Sequence, residues 1–388
     1  MRILLACEGD AETRDSWSGV SLSVVNHLRA DGHEVRCVDV DVSGGARAML
    51  ALRTLSRSRR RWWVRFHLGT HAFKARSRRF AALLARHAGE ADIVLQIGAT
   101  FEAPQDLQLP IVLFCDSNIE LSRSGIAGFS EASVLSASEI AGIRSRESRV
   151  YARAARLFTM SEMLRDSFVS AFGLPADRLV TVHCGPNFDP NSVQYARDVR
   201  STAPTILFIG RDPIRKGADL LLTAFEIVRD RIPDARLLLV GPPRYGRSPA
   251  GVEYTGYLDR DTVAGRAEMD AAYARANVFC LPTRFDPFGT SFVEAMLYGL
   301  PCIGPDAWAV PEIIDHGRTG FLVPPGDPRA IADAITRILG DKALQASLGA
   351  AARERALSEF SWHRLIERMV QAMRQVATES DRSDQGAA

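Results

Sequence analysis

The chain lacks a long uninterrupted apolar segment and an excess of either charge. Its 388 residues carry 48 Lys and Arg against 46 Asp and Glu, a formal net charge of +2. A membrane-crossing helix needs about 20 consecutive apolar residues, and no such run is present. Because the charges nearly balance, affinity for an acidic polymer would require a local patch. The opening residues, MRILLACEGD, lack the apolar core of a secretory leader, so we expect a cytoplasmic protein.

Cysteine is also scarce and unpaired in sequence. The six cysteines are scattered without a CxxC pair, and most fall in apolar, strand-like runs. This pattern favours buried free thiols in a reducing compartment over a metal or redox role. Apolar residues make up 46% and charged residues 24% of the chain, which excludes wholesale disorder.

Short apolar runs rich in β-branched residues alternate with longer stretches of helical period. This alternation is typical of parallel sheets covered by helices on both faces, so it predicts an α/β protein with Rossmann-like, doubly wound sheets. The predicted strands of the first half are RILLAC, EVRCVDV, DIVLQIG, PIVLFCD, RLFTM and LVTVHCG. Those of the second half are PTILFIG, ARLLLVG, VEYTGY, VFCLP, PCIGP and GFLVPPG.

The length predicts two domains, because 388 residues exceed the size of one compact core. The polar segment GPNFDPNSVQYARDVRSTAP, at 185–204, is the predicted linker. The expected domains are therefore 1–190 and 200–358. A helix is predicted at 360–378, followed by a frayed tail.

One segment, 53–79, is strongly basic. It contains ten Lys or Arg and no acid, with Trp62, Trp63, Phe66 and Phe73 interleaved. A basic, aromatic helix suits an anionic membrane surface, and this interpretation is favoured. The alternatives are a plain solvated helix face and a nucleic-acid contact. Of the two possible partners, the membrane surface is expected and nucleic acid is not.

Ligands of open α/β sheets bind at the carboxyl ends of the strands, so the loops that follow strands are the expected positions of site residues. After TILFIG, Arg211 and Lys216 stand in a short loop before a helix that begins near Ala218. Two cations beside a helix N-terminus favour a diphosphate. Surface cations without a ligand are the alternative.

The stretch RFDPFGTSFVEAMLYGLP, at 284–301, follows the predicted strand VFCLP. Asp286 lies in a loop and Glu294 in the first turns of a helix. Carboxylates accept several hydrogen bonds from sugar and ribose hydroxyls, and backbone N–H groups near Gly289 suit a phosphate. The alternative is that Glu294 only caps the helix and Asp286 only sets a turn.

The second half resembles the nucleotide-sugar half of the retaining glycosyltransferases of the GT-B fold, family 4. The segments that carry the resemblance are FIGRDPIRKGADLLLTAF, ARLLLVGPP, VEYTGYL, YARANVFCLPTRFDPFGTSFVEAMLYGLPCIG and PEIIDHGRTGFLVPPGDPRAIADAI. The family's motif of two Glu separated by seven residues corresponds here to Asp286 and Glu294. Asp at the first position leaves open which sugar is bound.

The resemblance implies roles for individual residues. Arg211 and Lys216 would neutralise the donor diphosphate, Glu294 would hold the ribose hydroxyls, and Asp286 would contact the transferred sugar. The remaining donor-binding positions are the backbone at Phe288, Gly289 and Thr290, which would bind the sugar and phosphates, and Tyr257, which would lie beside the nucleobase.

The first half resembles the family more weakly. In SWSGVSLSVVNHLRADGHEV, Gly19 would let the backbone approach the donor phosphates and the acceptor. In PIVLFCDSN, Asp116 would end a strand near the reacting carbon, with a turn or cap residue as the alternative. The GT-B fold implies an acceptor-binding first domain and a donor-binding second domain facing a cleft, with the C-terminal helix crossing back to the first domain.

The implied activity is retaining transfer of a hexose-type sugar from a UDP- or GDP-sugar to a glycan, lipid-linked or small-molecule acceptor. Asp116, Arg211, Lys216 and Asp286 are the predicted catalytic residues. No cofactor or metal is expected, because cations and a helix N-terminus would stabilise the departing diphosphate. A sugar-nucleotide 2-epimerase and a non-catalytic, membrane-associated recognition subunit are the alternatives.

Overall fold

The chain forms two compact units. The computed structural model describes residues 1–124, 129–190, 193, 203–244 and 249–386. One unit comprises Met1–His183 and Trp362–Ala388, and the other comprises Cys184–Ser361. Within the predicted linker, residues 191–192 and 194–202 lie outside the described residues.

Each unit contains one six-stranded parallel sheet. The strands of the first sheet are β1 (Arg2–Cys7), β2 (Glu34–Asp39), β3 (Ile93–Ile97), β4 (Ile111–Cys115), β5 (Arg156–Thr159) and β6 (Leu179–Thr181). Those of the second are β7 (Thr205–Ile209), β8 (Arg236–Val240), β9 (Val252–Gly256), β10 (Val278–Cys280), β11 (Cys302–Pro305) and β12 (Gly320–Val323). Each predicted apolar run contains one of these strands, and the α/β fold class is confirmed.

Helices connect the strands. Those of the first unit are α1 (Val20–Ala30), α2 (Gly44–Arg53), α3 (Arg59–Leu68), α4 (Thr70–His87), α5 (Ile119–Ser124), α6 (Ala137–Arg153) and α7 (Glu162–Phe172). The second unit contributes α8 (Ala218–Arg231), α9 (Val263–Arg275), α10 (Thr290–Leu297), α11 (Val310–Ile313), α12 (Pro328–Gly340) and α13 (Lys342–Glu359), and α14 (Trp362–Gly386) ends the chain. Within the described ranges, no helix has an apolar stretch long enough to cross a bilayer.

The strand order creates one switch point in each sheet. The orders are β2-β1-β3-β4-β5-β6 and β12-β11-β10-β7-β8-β9. The chain first builds outward on one side of β1 or β7 and then returns to the other side, so the direction reverses between β1 and β3 and between β7 and β10. In doubly wound sheets, the loops at the carboxyl ends of such neighbouring strands form the ligand crevice.

The C-terminal helix α14 packs on the first unit, as predicted. The Trp362 ring stacks on His27 with centroids 5.7 Å apart, and Arg368 Nη1 donates to the Thr181 carbonyl over 3.0 Å. The helix extends to Gly386, which corrects the predicted end at residue 378. The tail residues before Gly386 include neither Gly nor Pro, so nothing in them interrupts helical hydrogen bonding.

The basic segment 53–79 is not the single helix that we predicted. Gly69 has an extended backbone (ψ 160°) where α3 ends and α4 begins. A Cβ at this position would lie 2.3 Å from the Arg65 carbonyl oxygen, so a side chain does not fit without a shift. The segment therefore presents two short helical surfaces.

Several cations of this segment are neutralised inside the first unit. Arg76 is completely buried and forms an ion pair with Glu8. Arg61 and Arg65 both pair with Glu139 of α6, at 3.0 and 2.6 Å. These charges stabilise the packing of α3 and α4, and they reduce the positive charge that the segment presents to solvent.

All six cysteines lie in the part of the chain that the structure describes, where they form no disulfide, and five of them are buried, as predicted. Burial raises the pKa of Cys7 to about 12, and it raises the pKa of the half-buried Cys37 to about 12 as well. Both thiols are therefore protonated at neutral pH, and thiols in that form are poor nucleophiles and metal ligands.

Candidate functional site

Two loops of the second unit meet at the β7/β10 switch point. Gly217 precedes α8 with φ 78°, a left-handed conformation that favours glycine. A Cβ on Gly217 would lie 2.0 Å from the Pro282 carbonyl oxygen. Glycine at this position therefore allows the loop after β7 to lie directly against the segment after β10.

Arginine side chains bind these two loops together. Arg284 N donates to the Arg215 carbonyl over 2.8 Å, and Arg215 Nη1 donates to the Phe285 carbonyl over 2.9 Å. The Arg284 guanidinium also forms a two-point ion pair with Asp219 of α8, at 2.6 and 2.5 Å. Sequence reasoning missed these contacts, which fix the backbone around the predicted site residues.

Lys216 and Asp286, predicted separately, form an ion pair between Nζ and Oδ2. Their side chains are only 15% and 10% exposed. Burial lowers the pKa of Lys216, while the adjacent carboxylate acts in the opposite direction. One cation and one anion thus meet at the carboxyl ends of β7 and β10.

Backbone N–H groups at the start of α10 adjoin this pair. Gly289, with φ 93°, precedes Thr290, the first residue of the helix. A Cβ on Gly289 would lie 2.9 Å from the Phe292 ring and 3.7 Å from Asp286 Oδ2. Phe288, which precedes Gly289, is buried. The first N–H groups of a helix lack helical partners and suit an anion.

Glu294 is 2% exposed and receives hydrogen bonds from protein donors on both oxygens. Arg260 makes a two-point ion pair with it, from Nη1 to Oε1 (2.9 Å) and from Nη2 to Oε2 (2.7 Å). Tyr273 Oη donates to Oε2 over 2.9 Å, and Asn187 N donates to Oε1 over 3.2 Å. Burial opposes ionisation of Glu294, but the Arg260 charge and the hydrogen bonds from Arg260, Tyr273 and Asn187 together outweigh it and lower the pKa.

This arrangement excludes the helix-cap interpretation of Glu294, whose oxygens accept hydrogen bonds from Arg260, Tyr273 and Asn187. Glycine occupies the N-cap position of α10, with no side-chain cap bond. Arg260 and Tyr273 were missed from the sequence. Arg260 lies in the loop after β9, and no motif in YLDRDT marks it as the partner of a carboxylate 34 positions later.

Arg211 and Tyr257 are brought together on the exposed side of these loops. The Arg211 guanidinium carbon lies 4.5 Å from the Tyr257 ring centroid, a cation–π contact. Tyr257 is 59% exposed. An exposed aromatic ring beside a cation offers a stacking surface next to a positive charge.

The first unit holds the other two predicted residues. Gly19 has φ 84° and follows Trp17 and Ser18, which are also left-handed at φ 50° and 53°. Such backbone is strained for non-glycine residues and is often found at functional sites. A Cβ on Gly98, after β3, would lie 2.5 Å from the Trp17 ring. The turn at Gly19 therefore lies at the β1/β3 switch point.

Asp116 directly follows β4. Burial raises its pKa to about 6, although hydrogen bonds from backbone N–H groups oppose the shift. Nearby in sequence, Ile119 N donates to both oxygens of Glu147, at 3.2 and 3.1 Å. Burial raises the pKa of Glu147 to about 8. These carboxyl groups therefore change charge near neutral pH.

The family model described as Glycosyltransferase Family 4 matches residues 20–189, and that described as Glycosyl transferases group 1 matches residues 203–341. The chain belongs to glycosyltransferase family 4. The two matches together cover most of both units, so the resemblance read from the motifs is confirmed.

This family 4 protein is similar to mannosyltransferases of mycobacteria. It is 30% identical over 233 residues to a GDP-mannose-dependent alpha-(1-6)-phosphatidylinositol monomannoside mannosyltransferase of Mycobacterium tuberculosis, covering 55% of this chain and 60% of that one. It is 36% identical over 180 residues to a phosphatidyl-myo-inositol mannosyltransferase of Mycobacterium leprae, covering 45% and 47%. The chain thus spans less than two thirds of the length of these relatives.

Solved structures of other proteins share the fold of this chain. A sucrose-phosphate synthase from Thermosynechococcus elongatus superposes with a TM-score of 0.72 at 20% identity, covering 98% of this chain and 100% of that one. HepE of Anabaena, solved with UDP and glucose, gives a TM-score of 0.66 at 17% identity, covering 97% and 100%. Both are GT-B proteins, and the GT-B fold class is confirmed.

The raised pKa of Glu147 predicts a pH dependence of stability in this family 4 protein. A carboxyl with a folded-state pKa above its unfolded value stabilises the fold below the unfolded pKa, and that contribution is lost as pH rises through the folded pKa. We expect the melting temperature of the wild type to fall from about pH 5 to pH 8 more steeply than that of Glu147→Gln. Thermal unfolding measured across this range tests the difference.

The matched control is Glu34→Gln, at an exposed position of the same unit. It should leave the wild-type pH dependence unchanged. Parallel curves of melting temperature against pH for the wild type and Glu147→Gln would contradict the raised pKa of Glu147.

Proposed function

We propose that the protein is a retaining glycosyltransferase that moves a hexose-type sugar from a nucleoside-diphosphate sugar to an acceptor. The observation that carries the proposal is the meeting of Lys216, Asp286 and the α10 N-terminus at the β7/β10 switch point in a family 4 chain. The name of the mycobacterial relative specifies GDP-mannose, and HepE was solved with UDP and glucose. These relatives support a GDP- or UDP-sugar as the donor.

When the donor binds, its diphosphate replaces Asp286 as the partner of Lys216. Its negative charge takes Lys216 as a partner, with Arg211 and the α10 backbone N–H groups as further donors. Asp286 then loses its cation and becomes free to accept hydrogen bonds from the transferred sugar. Interactions of this kind, realised on a leaving group, contribute about 3 kcal/mol each in other enzymes.

The rest of the donor lies along the same loops. The backbone at Phe288, Gly289 and Thr290 contacts the sugar and phosphates, and Glu294 holds the ribose hydroxyls. The exposed ring of Tyr257 stacks on the nucleobase. In this proposal, residues 200–358 form the donor-binding domain. Catalysis needs no metal ion, because protein cations stabilise the negative charge of the departing diphosphate.

Residues 1–190 form the acceptor-binding domain, with α14 packed on it. The backbone at Gly19 approaches the donor phosphates and acceptor, and Asp116 lies near the reacting carbon. The acceptor hydroxyl attacks the anomeric carbon on the face from which the diphosphate departs, which retains configuration. The bond from the sugar to the diphosphate breaks, and the hydroxyl proton passes to the departing phosphate oxygen.

Hydrolysis of a nucleotide sugar without acceptor provides the direct test. Incubation with UDP- and GDP-hexoses should release the nucleoside diphosphate and free sugar. Lys216→Met should lower the rate about 100-fold, because one leaving-group interaction is lost. Asp286→Asn should also slow hydrolysis, because its sugar contact is weakened. Chromatography of nucleotide and sugar products measures each rate.

The control is Arg275→Gln, which removes an exposed Arg–Glu pair of the same unit. It should match the wild type. Release of an epimerised nucleotide sugar would instead identify a 2-epimerase. No turnover of any donor by folded protein would favour the non-catalytic recognition subunit.

We also propose a lipid-linked or glycan acceptor reached at the inner, anionic face of a membrane. Four large apolar side chains are exposed on α2, on α3 and in the turn that joins them: Met49, Leu52, Leu55 and Trp63. Exposed cations of the segment 53–79 stand among them, including Arg53, Arg57 and Arg59. Apolar side chains flanked by cations suit insertion into an anionic lipid surface, where each cation adds about 1 kcal/mol.

The double variant Leu52→Ser, Leu55→Ser tests this surface. We expect it to lose about tenfold or more in binding to phosphatidylglycerol vesicles, because two inserted apolar side chains are removed. Co-sedimentation at low salt measures the binding. The control, Leu357→Ser, changes a similarly exposed leucine of the second unit and should bind as the wild type does. Failure of the wild type to sediment would contradict the proposal.

A further inference from the structure

The acceptor capacity of Glu294 is fully used by the protein itself. A carboxylate has about four lone-pair positions. Two donors engage Oε1, namely Arg260 Nη1 at 2.9 Å and Asn187 N at 3.2 Å. Two others engage Oε2, namely Arg260 Nη2 at 2.7 Å and Tyr273 Oη at 2.9 Å. A ribose that donates its 2′- and 3′-hydroxyls to Glu294 must therefore displace a protein donor.

The three donor groups differ in how readily they can leave. Tyr273 belongs to α9 and is 1% exposed, with its ring stacked on Tyr298 at a centroid distance of 4.4 Å. Asn187 contributes a backbone N–H rather than a rotatable side chain. Arg260 is 21% exposed and supplies one contact to each oxygen. Only its departure frees both oxygens at once, as two neighbouring hydroxyls require.

The loop that carries Arg260 is held by its backbone. Arg266 Nη1 donates to the carbonyls of Arg260 and Asp261, at 2.9 and 3.1 Å. Thr262 Oγ1 donates to the Asp259 carbonyl over 2.9 Å. These bonds hold the loop backbone without using the Arg260 side chain, whose guanidinium carbon also lies 6.0 Å from the Phe188 ring centroid. The Arg260 side chain is already partly exposed at 21%, so water can solvate its charge after release.

We propose that Arg260 is an internal competitor for the ribose-binding carboxylate. Its guanidinium occupies the place at Glu294 that the 2′- and 3′-hydroxyls of a nucleoside diphosphate take, and it rotates away when the nucleotide binds. This inference rests on the proposed function, because it assumes that Glu294 binds the ribose. Arg260 thereby lowers nucleotide affinity and favours ligands with a complete cis-diol, the only ligands that replace both of its hydrogen bonds.

Only molecules in which Arg260 has left Glu294 can bind the nucleotide, so the apparent Kd equals the intrinsic Kd divided by the fraction of such molecules. When a binding-competent state is populated at about 1–10%, the apparent Kd is about 10- to 100-fold above the intrinsic value. Arg260→Gln removes the competing charge and its two-point contact. We therefore expect this variant to bind UDP or GDP about tenfold or more tightly than the wild type.

The experiment is calorimetric titration of the wild type and Arg260→Gln with UDP and GDP, and with their 2′,3′-dideoxy forms. The gain should be confined to the ribose nucleotides, because dideoxy nucleotides donate no hydrogen bond to the freed carboxylate. Arg275→Gln is the control, since it removes a two-point Arg–Glu pair at Glu253, away from Glu294. Its affinities should equal those of the wild type.

A second variant, Arg260→Lys, keeps a cation beside Glu294, and it tests the inference if loss of the charge in Arg260→Gln impairs folding. An ammonium group does not match the two-point geometry of a carboxylate, so a smaller gain of the same sign is expected. Equal or weaker binding of ribose nucleotides by both variants would overturn the inference, as would an equal gain with dideoxy nucleotides. Absence of nucleotide binding by folded wild type and Arg275→Gln would overturn the proposed function itself.

Discussion

Charge buried at the carboxyl edge of the second sheet must be neutralised within the protein, and two ion pairs meet this constraint. Removing one partner of a buried pair leaves an uncompensated charge and is strongly destabilising. Lys216 neutralises Asp286, and Arg260 neutralises Glu294. In the proposed function, diphosphate and ribose replace these internal partners. Donor binding then replaces the Lys216–Asp286 ion pair with one between Lys216 and the diphosphate, and it replaces the Arg260–Glu294 ion pair with hydrogen bonds from the ribose hydroxyls to Glu294.

Two glycines let the loops around Lys216 and Asp286 pack closely together. Gly217 allows the loop after β7 to lie against Pro282, and Gly289 lets α10 begin beside Asp286. The Arg284–Asp219 pair then holds the two loops together. Because the backbone is fixed on both sides, ligand exchange involves side chains on a rigid frame, which is the arrangement that precise positioning of a reacting group requires.

The strands and several site positions were predictable because their signals are local. Buried parallel strands are apolar along their length, and Lys216, Asp286 and Glu294 fall in short motifs after strands. The partners were not predictable. Arg260 and Arg284 reach carboxylates 34 and 65 positions away, and such pairs exist only after the chain has folded. The same limit applies to the basic segment 53–79, where Arg76 is buried against Glu8 rather than exposed.

Hydrogen–deuterium exchange with and without a nucleoside diphosphate tests the central claim most directly, because it reports where the ligand acts on the backbone. The protein would be saturated with UDP or GDP and exchange followed by mass spectrometry of its peptides. The account predicts slower exchange in the loop at 211–217 and at the start of α10, at 288–291. Unchanged exchange in both places, with protection confined to other peptides, would contradict it.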